Sequence, residues 1–307
     1  MLQVVLGNKA GVATQNVARI LCGFEAGDKI PTVAVLTEQC DTARGNIQQA
    51  LTTLKETGAI ALEPHGQNGT ILTAIDYLQL ANICGAQNLV GAMPLPYTKR
   101  YEGLATGLFS LLNRDGLSNL IAFMRGSEGR VQTLLDGRAN YCVMSHMAYL
   151  DYRRRGMPLR EVMELGPESY VGRHLLWLRP GFDGNWKGCR VGLDNSSADQ
   201  SLLTQRYFAG KPVVFEAIQY TQILPMLEEG KLDAGIWNED DFSMHINQVH
   251  CQPLVLPEEM DRSNTSAAIV VQEKDTLVPR LLKKYLTKER LLDIQQLVMQ
   301  DKLAARY

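Results

Sequence analysis

The chain has no apolar run of the roughly 20 residues that a membrane helix needs; its longest, such as Leu89 to Pro96, falls far short. No membrane partner is expected. Charge of one sign is also lacking. The formal balance is -2, with charged residues at 21% and hydrophobic ones at 45%, close to the soluble globular average, which argues against disordered tails and low-complexity scaffolds. Cys22, Cys40, Cys84, Cys142, Cys189 and Cys251 are scattered, with no pair at the spacing of zinc sites or redox motifs. A reducing cytoplasm fits that usage. Met1 to Leu6 carries no positive charge and is too short for a secretory leader, so a cytoplasmic location is expected.

Catalytic signatures are missing as well. No HExxH, no GxxxxGK and no nucleophile–base pairing is present, and the expectation is a protein that is not an enzyme and uses no cofactor. His245, His250 and Cys251 come nearest to a metal set, but they crowd one polar segment and read better as surface side chains, so no metal is expected. Asp194, Asp199, Glu239, Asp240 and Asp241 could in principle hold a hard cation or do acid–base work. Acids at helix starts, favoured by the helix dipole, are the simpler reading.

At 307 residues, one small domain and a larger two-lobed body are expected. Ala13, Val17, Ile20, Leu21 and Phe24 share one face of a first helix, closed by Gly27 and Pro31. Thr32 can cap a second helix reaching Cys40, and Asp41 or Thr42 a third with Ile47, Ala50, Leu51 and Leu54 on its apolar stripe. Ala59 to Leu62, a loop with Gly66 and Gly69, and Thr70 to Thr73 then read as two strands joined by a wing. Residues 1–75 are therefore assigned to a winged helix-turn-helix and 76–88 to a linker, where the stretch up to Ala81 could form a short helix.

The third helix leaves Arg44, Asn46, Gln48 and Gln49 off its apolar stripe, types that reach base edges or phosphates in a major groove. With Thr42 before them and His65, Gly66, Asn68 and Gly69 in the wing, they form the candidate DNA surface. The charge of the head opposes this reading in part. Lys9, Arg19, Lys29, Arg44 and Lys55 face Glu25, Asp28, Glu38, Asp41, Glu56 and Glu63, and few cations means weak phosphate attraction. Helix N-termini can supply some of what is missing, and a dimer doubles whatever one head offers.

From Leu89 the pattern alternates strand and helix, which predicts a mostly parallel sheet with helices on its faces. The run Leu134 to Ser145 is echoed by Leu227 to Asn238. Each reads as a helix end, a glycine turn (Gly137, Gly230), a base one residue on, and a buried strand ending in Ser145 or Asn238. Two lobes of similar build follow, spanning 89–307 with the second at about 180–265. His174 to Leu178 and Ala267 to Val271 are expected to cross between the lobes, and the tail to return to the first.

Gly27 to Pro31, Ala43 to Leu51, Leu54, Gly58 and Gly66 to Gly69 resemble the GntR-type winged helix over nearly all of residues 11–73. Arg44 takes the place of the arginine that opens that family's recognition helix, while Gln48 stands where a second arginine is usual. The body is similar to the type 2 periplasmic-binding-protein fold. The whole chain resembles the YhfZ family of regulators through Met93 to Thr98, Tyr101 to Ala105, Met124 to Gly126, Val191 to Asn195, Ser197 to Gln200 and Ile236 to Asn238.

Ligands of open α/β sheets bind beyond the carboxyl ends of strands, and two lobes bring two such edges face to face. The candidate ligand residues are therefore Pro94, Tyr97, Thr98, Arg125, Gly126, Ser127, Ser145 and His146 in the first lobe, and Asn195, Ser196, Ser197, Asn238 and Glu239 in the second. Amides and hydroxyls at two helix N-termini, with an Arg125 clamp, suit a carboxylate or phosphate. Ser127 and Ser197 could equally be plain helix caps, Arg125 the partner of a surface carboxylate, and Tyr97 and Tyr101 ordinary packing. The expected function is a ligand-responsive transcriptional regulator whose partners are operator DNA, a small anionic effector and a second copy of itself. The alternative is a cytoplasmic solute-binding sensor whose winged helix no longer binds DNA.

Overall fold

The computed structural model describes residues 9–240 and 249–307. Asp241 and His245, named above, lie outside them. In chain order the elements are α1 (Lys9–Leu21), α2 (Val33–Gln39), α3 (Arg44–Glu56), β1 (Ile60–Pro64), β2 (Thr70–Ile75), α4 (Tyr77–Cys84), β3 (Asn88–Met93), α5 (Lys99–Leu112) and β4 (Ser118–Phe123). Next come α6 (Ser127–Leu135), β5 (Tyr141–Ser145), α7 (His146–Arg154), β6 (Leu159–Glu164), β7 (His174–Leu178), β8 (Arg190–Leu193), α8 (Ala198–Tyr207), β9 (Val214–Ala217) and α9 (Ile223–Glu228). The chain closes with β10 (Ala234–Asn238), β11 (His250–Pro253), α10 (Glu258–Thr265), β12 (Ala267–Gln272), α11 (Val278–Tyr285) and α12 (Lys288–Met299). Among the described residues no helix is long and apolar enough to cross a membrane.

Two compact units emerge. Among the described residues the first comprises 9–89, 112–119 and 274–285, the second 90–111, 120–240, 249–273 and 286–307. In the first, Ala13, Val17 and Leu21 of α1 are buried with Leu36 of α2 and Ile47, Ala50 and Leu54 of α3, as the 3.6-residue period requires. Phe24 lies past the end of α1 at Leu21 and is no part of its stripe. Thr32 caps α2, its hydroxyl accepting from the Val35 amide at 3.3 Å. The cap of α3 is neither Asp41 nor Thr42. Ala43 holds that position without a side-chain bond, and the Asn46 side-chain amide reaches back to donate to the Thr42 hydroxyl at 2.9 Å instead.

The wing strands β1 and β2 pair antiparallel, and Ile30 and Leu72 extend the ribbon through backbone bonds to Thr70 and Asp28. The segment read as a linker carries α4. Asp76 caps it by accepting from the Leu78 and Gln79 amides, and Leu80, Ala81 and Cys84 are its buried face. The Cys22 and Cys84 thiols donate to the Ala18 and Gln15 carbonyls of α1 at 3.2 and 3.7 Å, and their mutual influence pushes the Cys22 thiol up and the Cys84 thiol down. Part of the tail also belongs to this unit. Arg280 of α11 donates to the Cys22 carbonyl at 2.9 Å and to Glu25 at 2.7 Å, and lies over the Tyr77 ring.

The second unit holds two five-stranded sheets of one design. Their orders are β4-β3-β5-β12-β6 and β9-β8-β10-β7-β11. In each, the central strand pairs parallel on one side (β3 with β5, β8 with β10) and antiparallel on the other (β5 with β12, β10 with β7). The outer strands β6 and β11 add two further antiparallel pairs. The sheets are thus mixed, and the expectation of a mostly parallel sheet is corrected: strands that cross between lobes enter from the opposite end and must run antiparallel to the strands they join. The repeated run Leu134 to Ser145 and Leu227 to Asn238 occupies equivalent places, delivering β5 and β10 to the sheet centres.

Burial follows the two-residue period of strands. Leu176 and Ile236 face one core of the second lobe, with Leu203 and Phe208, while Leu175, Trp177 and Trp237 face the other, with Ile223, Leu224 and Leu227. The lobes exchange side chains. Met147 of α7 sits in the core of the second lobe, and Ala198 of α8 packs against the core of the first.

The tail ends on the first lobe. Buried Gln295 of α12 donates to the Arg100 and Ser169 carbonyls at 3.0 and 2.8 Å. Gly103 of α5 meets the same residue so closely that a Cβ there would lie 2.8 Å from the Gln295 Cα and carbonyl oxygen. Gly103→Ala, which would gain about 1 kcal/mol of helix propensity on an open face, is expected instead to cost about 1–3 kcal/mol by overpacking. A lowered thermal midpoint by circular dichroism checks it; a raised one contradicts the close packing of α5 and α12.

Candidate functional site

The carboxyl ends of β3, β4, β5, β8 and β10 converge between the lobes. The strand ends, loops and helix starts there supply Pro94, Leu95 and Tyr97, then Arg125, Gly126 and Ser127, then Ser197, Asp199 and Gln200, and finally Asn238. The remaining cavity is about 40 Å³. That holds water molecules but no metabolite, because a water needs about 10–15 Å³ on this measure and small-molecule sites run to roughly 300–1,000 Å³.

Direct contacts explain why so little space is left. The Ser127 hydroxyl accepts from the Ala198 amide of the facing lobe at 3.3 Å and shares a 3.0 Å bond with the Tyr152 hydroxyl. Gly126 lies against the other lobe too, since a Cβ there would come within 2.6 Å of the Ser196 carbonyl oxygen. Arg125 reaches across to the Gln219 and Thr221 side chains at 2.7 and 3.4 Å, both neutral acceptors. Rings close the wall: Tyr97 of the first lobe lies 6.2 Å from Tyr220 of the second, which in turn stacks on Trp237 at 4.6 Å. The buried Trp237 indole N–H has no hydrogen-bond partner among the described residues.

Beneath these contacts lies a buried polar network around Arg130, a residue that the sequence did not single out. Arg130 is 3% exposed and donates to the Val143 and Met124 carbonyls at 3.0 and 2.9 Å and to the Tyr170 hydroxyl at 3.1 Å. Asp199, in the first turn of α8, accepts from the Ser145 hydroxyl, which also caps α7 by accepting from the Ala148 amide. Burial raises the Asp199 carboxyl to about 6, and the Ser145 bond and the Arg130 charge offset only part of that. Burial likewise drives His174 down to about 4, leaving a neutral imidazole whose Nδ1 lies 2.7 Å from the Asn264 amide nitrogen. The Tyr101 and Tyr170 phenols are raised by the same desolvation, Tyr170 to about 12.

The sequence-derived set divides accordingly. Pro94, Tyr97, Arg125, Gly126, Ser127, Ser197 and Asn238 line the cleft. Ser197, at the N-cap position of α8, makes no side-chain cap bond, so the plain capping reading does not apply to it. Thr98 is buried and caps the Tyr101 amide, and Ser145 is buried under the latch to Asp199. His146 turns away to Glu161 at 2.7 Å, Ser196 is held by Asp194 at 2.6 Å, Asn195 is exposed, and Glu239 pairs with Arg173. The acids weighed for catalysis are similarly occupied. Asp194 also takes the Tyr220 amide, and Asp240 takes Arg100 at 3.3 Å and the Gly172 amide at 2.7 Å. Among the described residues no three side chains gather as a metal set; His250 and Cys251 lie exposed on β11.

On the head, Arg44, Gln48 and Gln49 are exposed along α3, whereas Asn46 is engaged with Thr42. The wing turns through Gly66 and Gly69, closed by the His65 amide donating to the Gly69 carbonyl at 2.7 Å, and the Lys29 stem lies across Gly69. Asn68 falls in that turn.

A helix-turn-helix domain fused to a two-lobed body built like the periplasmic binding proteins is therefore the class of protein that fold and cleft define. Residues 25–72 match a helix-turn-helix domain family, and residues 76–307 match the YhfZ C-terminal domain. The chain belongs to the YhfZ family. It is 37% identical over 303 residues to the uncharacterized protein YhfZ of Escherichia coli (strain K12), covering 97% of this chain and 98% of that one. The crystal structure of YhfZ from Shigella flexneri, 36% identical, superposes with a TM-score of 0.63 over 72% of this chain and 94% of that one. The periplasmic domain of Bordetella pertussis BvgS shares the fold alone, at 16% identity and a TM-score of 0.50 over 89% of this chain and 53% of that one.

Proposed function

We propose that the chain is a cytoplasmic, homodimeric transcriptional regulator that binds operator DNA through its winged helix and senses a small anionic metabolite, a carboxylate or phosphate, between its lobes. The observation that carries this reading is Arg125. Buried Arg130 and Asp199 counter one another, but the Arg125 guanidinium at the cleft mouth has only neutral acceptors among the described residues, so its charge is available to an anion. The α6 and α8 N-termini, whose own N-cap residues Gly126 and Ser197 make no side-chain cap bond, add partial positive charge beside it, although one α8 amide, that of Ala198, is taken by the Ser127 hydroxyl in the closed form. The lobes must part to admit an effector, and re-closing on it would shift an equilibrium that the heads of a dimer read as a change of spacing. Catalysis has no part in this account.

Arg44→Ala tests the DNA half. Loss of roughly 10- to 100-fold in affinity for an operator selected from random sequence is expected, with thermal stability unchanged because Arg44 is exposed. If selection at low salt enriches no sequence, the alternative stands, a solute sensor whose head no longer touches DNA. The slightly acidic balance of residues 1–75 favours that second reading.

A further inference from the structure

A second cavity in the same unit has no role in the proposed cleft, and it is far larger. It measures about 470 Å³ and is bounded by α7, α8 and α10. Its floor is apolar and adaptable, made of Met147, Leu150, Leu202 and Met260. Arg154 and Arg206 stand on its rim, each in the last turn of its helix. Asp151, the acid among the lining residues, is already engaged by Arg154 and by Arg155 at 3.6 Å. The Arg206 guanidinium has no hydrogen-bond or ion-pair partner among the described residues, so the rim carries uncompensated positive charge above an oily floor.

We propose that this groove binds a small amphipathic anion, a flat aromatic or short acyl body bearing one carboxylate or sulfonate, with its apolar part on the two methionines and its charge toward Arg206. The volume falls within the roughly 300–1,000 Å³ of small-molecule sites. Among the described residues Leu150, 47% exposed, is the one large apolar side chain that protrudes there, too little for the extended patch a protein partner uses. The position gives such a ligand leverage on the cleft. Both α7 and α8 begin at the cleft, at Ser145 and Ser197, and end at the groove, so a molecule bridging them favours the arrangement in which Met147 is seated in the second lobe.

The test titrates the full chain with 8-anilinonaphthalene-1-sulfonate, followed by dye fluorescence, with octanoate as competitor. Saturable binding displaced by octanoate is expected. Leu150→Glu and Arg206→Glu, both at exposed positions, should each weaken it at least about tenfold, and Arg125→Ala in the cleft should leave it within about twofold. The proposal is overturned if the wild-type chain shows no saturable binding, or if both groove variants bind as the wild type does. Loss of binding in Arg125→Ala would place the probe in the cleft instead. A change of sedimentation coefficient in Leu150→Glu would assign the groove to a second copy of the chain.

Discussion

Replacing Gly126 by alanine is expected to hold the two lobes apart. Gly126 has φ +66° and ψ 145°, a region essentially reserved for glycine, where another residue pays about 1–3 kcal/mol. The added methyl would also lie 2.6 Å from the Ser196 carbonyl oxygen, an atom of backbone that cannot swing aside as a side-chain tip can. Both costs fall away if the loop before α6 withdraws, and withdrawal breaks the bond from the Ala198 amide to the Ser127 hydroxyl. The lobe equilibrium should therefore move toward the open form by on the order of 5- to 150-fold. Hydrogen exchange reads this without any effector: amides at the start of α8 should lose protection, while those of α3 should not change. Unaltered protection at Ala198 would show that the Gly126 contact does not hold the lobes together.

Local grammar made much of this architecture readable. The winged helix follows from helical spacing, the Thr32 cap and paired glycines, all encoded within a few residues. The two-lobed body could be read from the repeat of Leu134 to Ser145 in Leu227 to Asn238, because a helix end, a glycine turn and a buried strand is a short-range pattern. Sheet composition was less accessible. The short strands β6 and β11 carry weak alternation, and their antiparallel pairing is decided by partners far away in sequence. The cleft shows the same limit. Pro94, Arg125 and Ser127 could be found because they end strands, whereas Arg130 lies within a helix and reads as a surface cation until the fold buries it. Asp199 reads as an ordinary first-turn acid satisfied by the helix dipole. Its meeting with Ser145, which makes it a link between lobes, depends on two segments 54 positions apart.

That link sets the second large effect, the response of stability to pH. A carboxyl raised to about 6 in the folded chain, from 3.8, holds its proton where the unfolded chain has lost it. Its favourable contribution is complete below 3.8 and is lost as pH rises through 6, a change of roughly 3 kcal/mol. His174 runs the other way. Lowered to about 4 from 6.5, it contributes stability above 6.5 that is lost as pH falls through 4. Asp199 also feels the Arg130 guanidinium, which favours its ionised form, and the Asp151 carboxylate, which disfavours it, while the Tyr101, Tyr152 and Tyr170 phenols are all raised by burial. Between about pH 4 and 6.5 the two trends oppose each other, so the wild-type chain should show a shallow profile from this pair. Asp199→Asn keeps the shape and an acceptor for the Ser145 hydroxyl, and removes the titration. Relative to wild type, the variant should gain roughly 3 kcal/mol on going from pH 4 to pH 7.5, and its own stability should now fall on acidification as His174 becomes charged. Urea unfolding at several pH values measures both slopes. A difference between the two proteins that does not vary with pH would mean that the Asp199 carboxyl is already ionised throughout and that Arg130 compensates it fully.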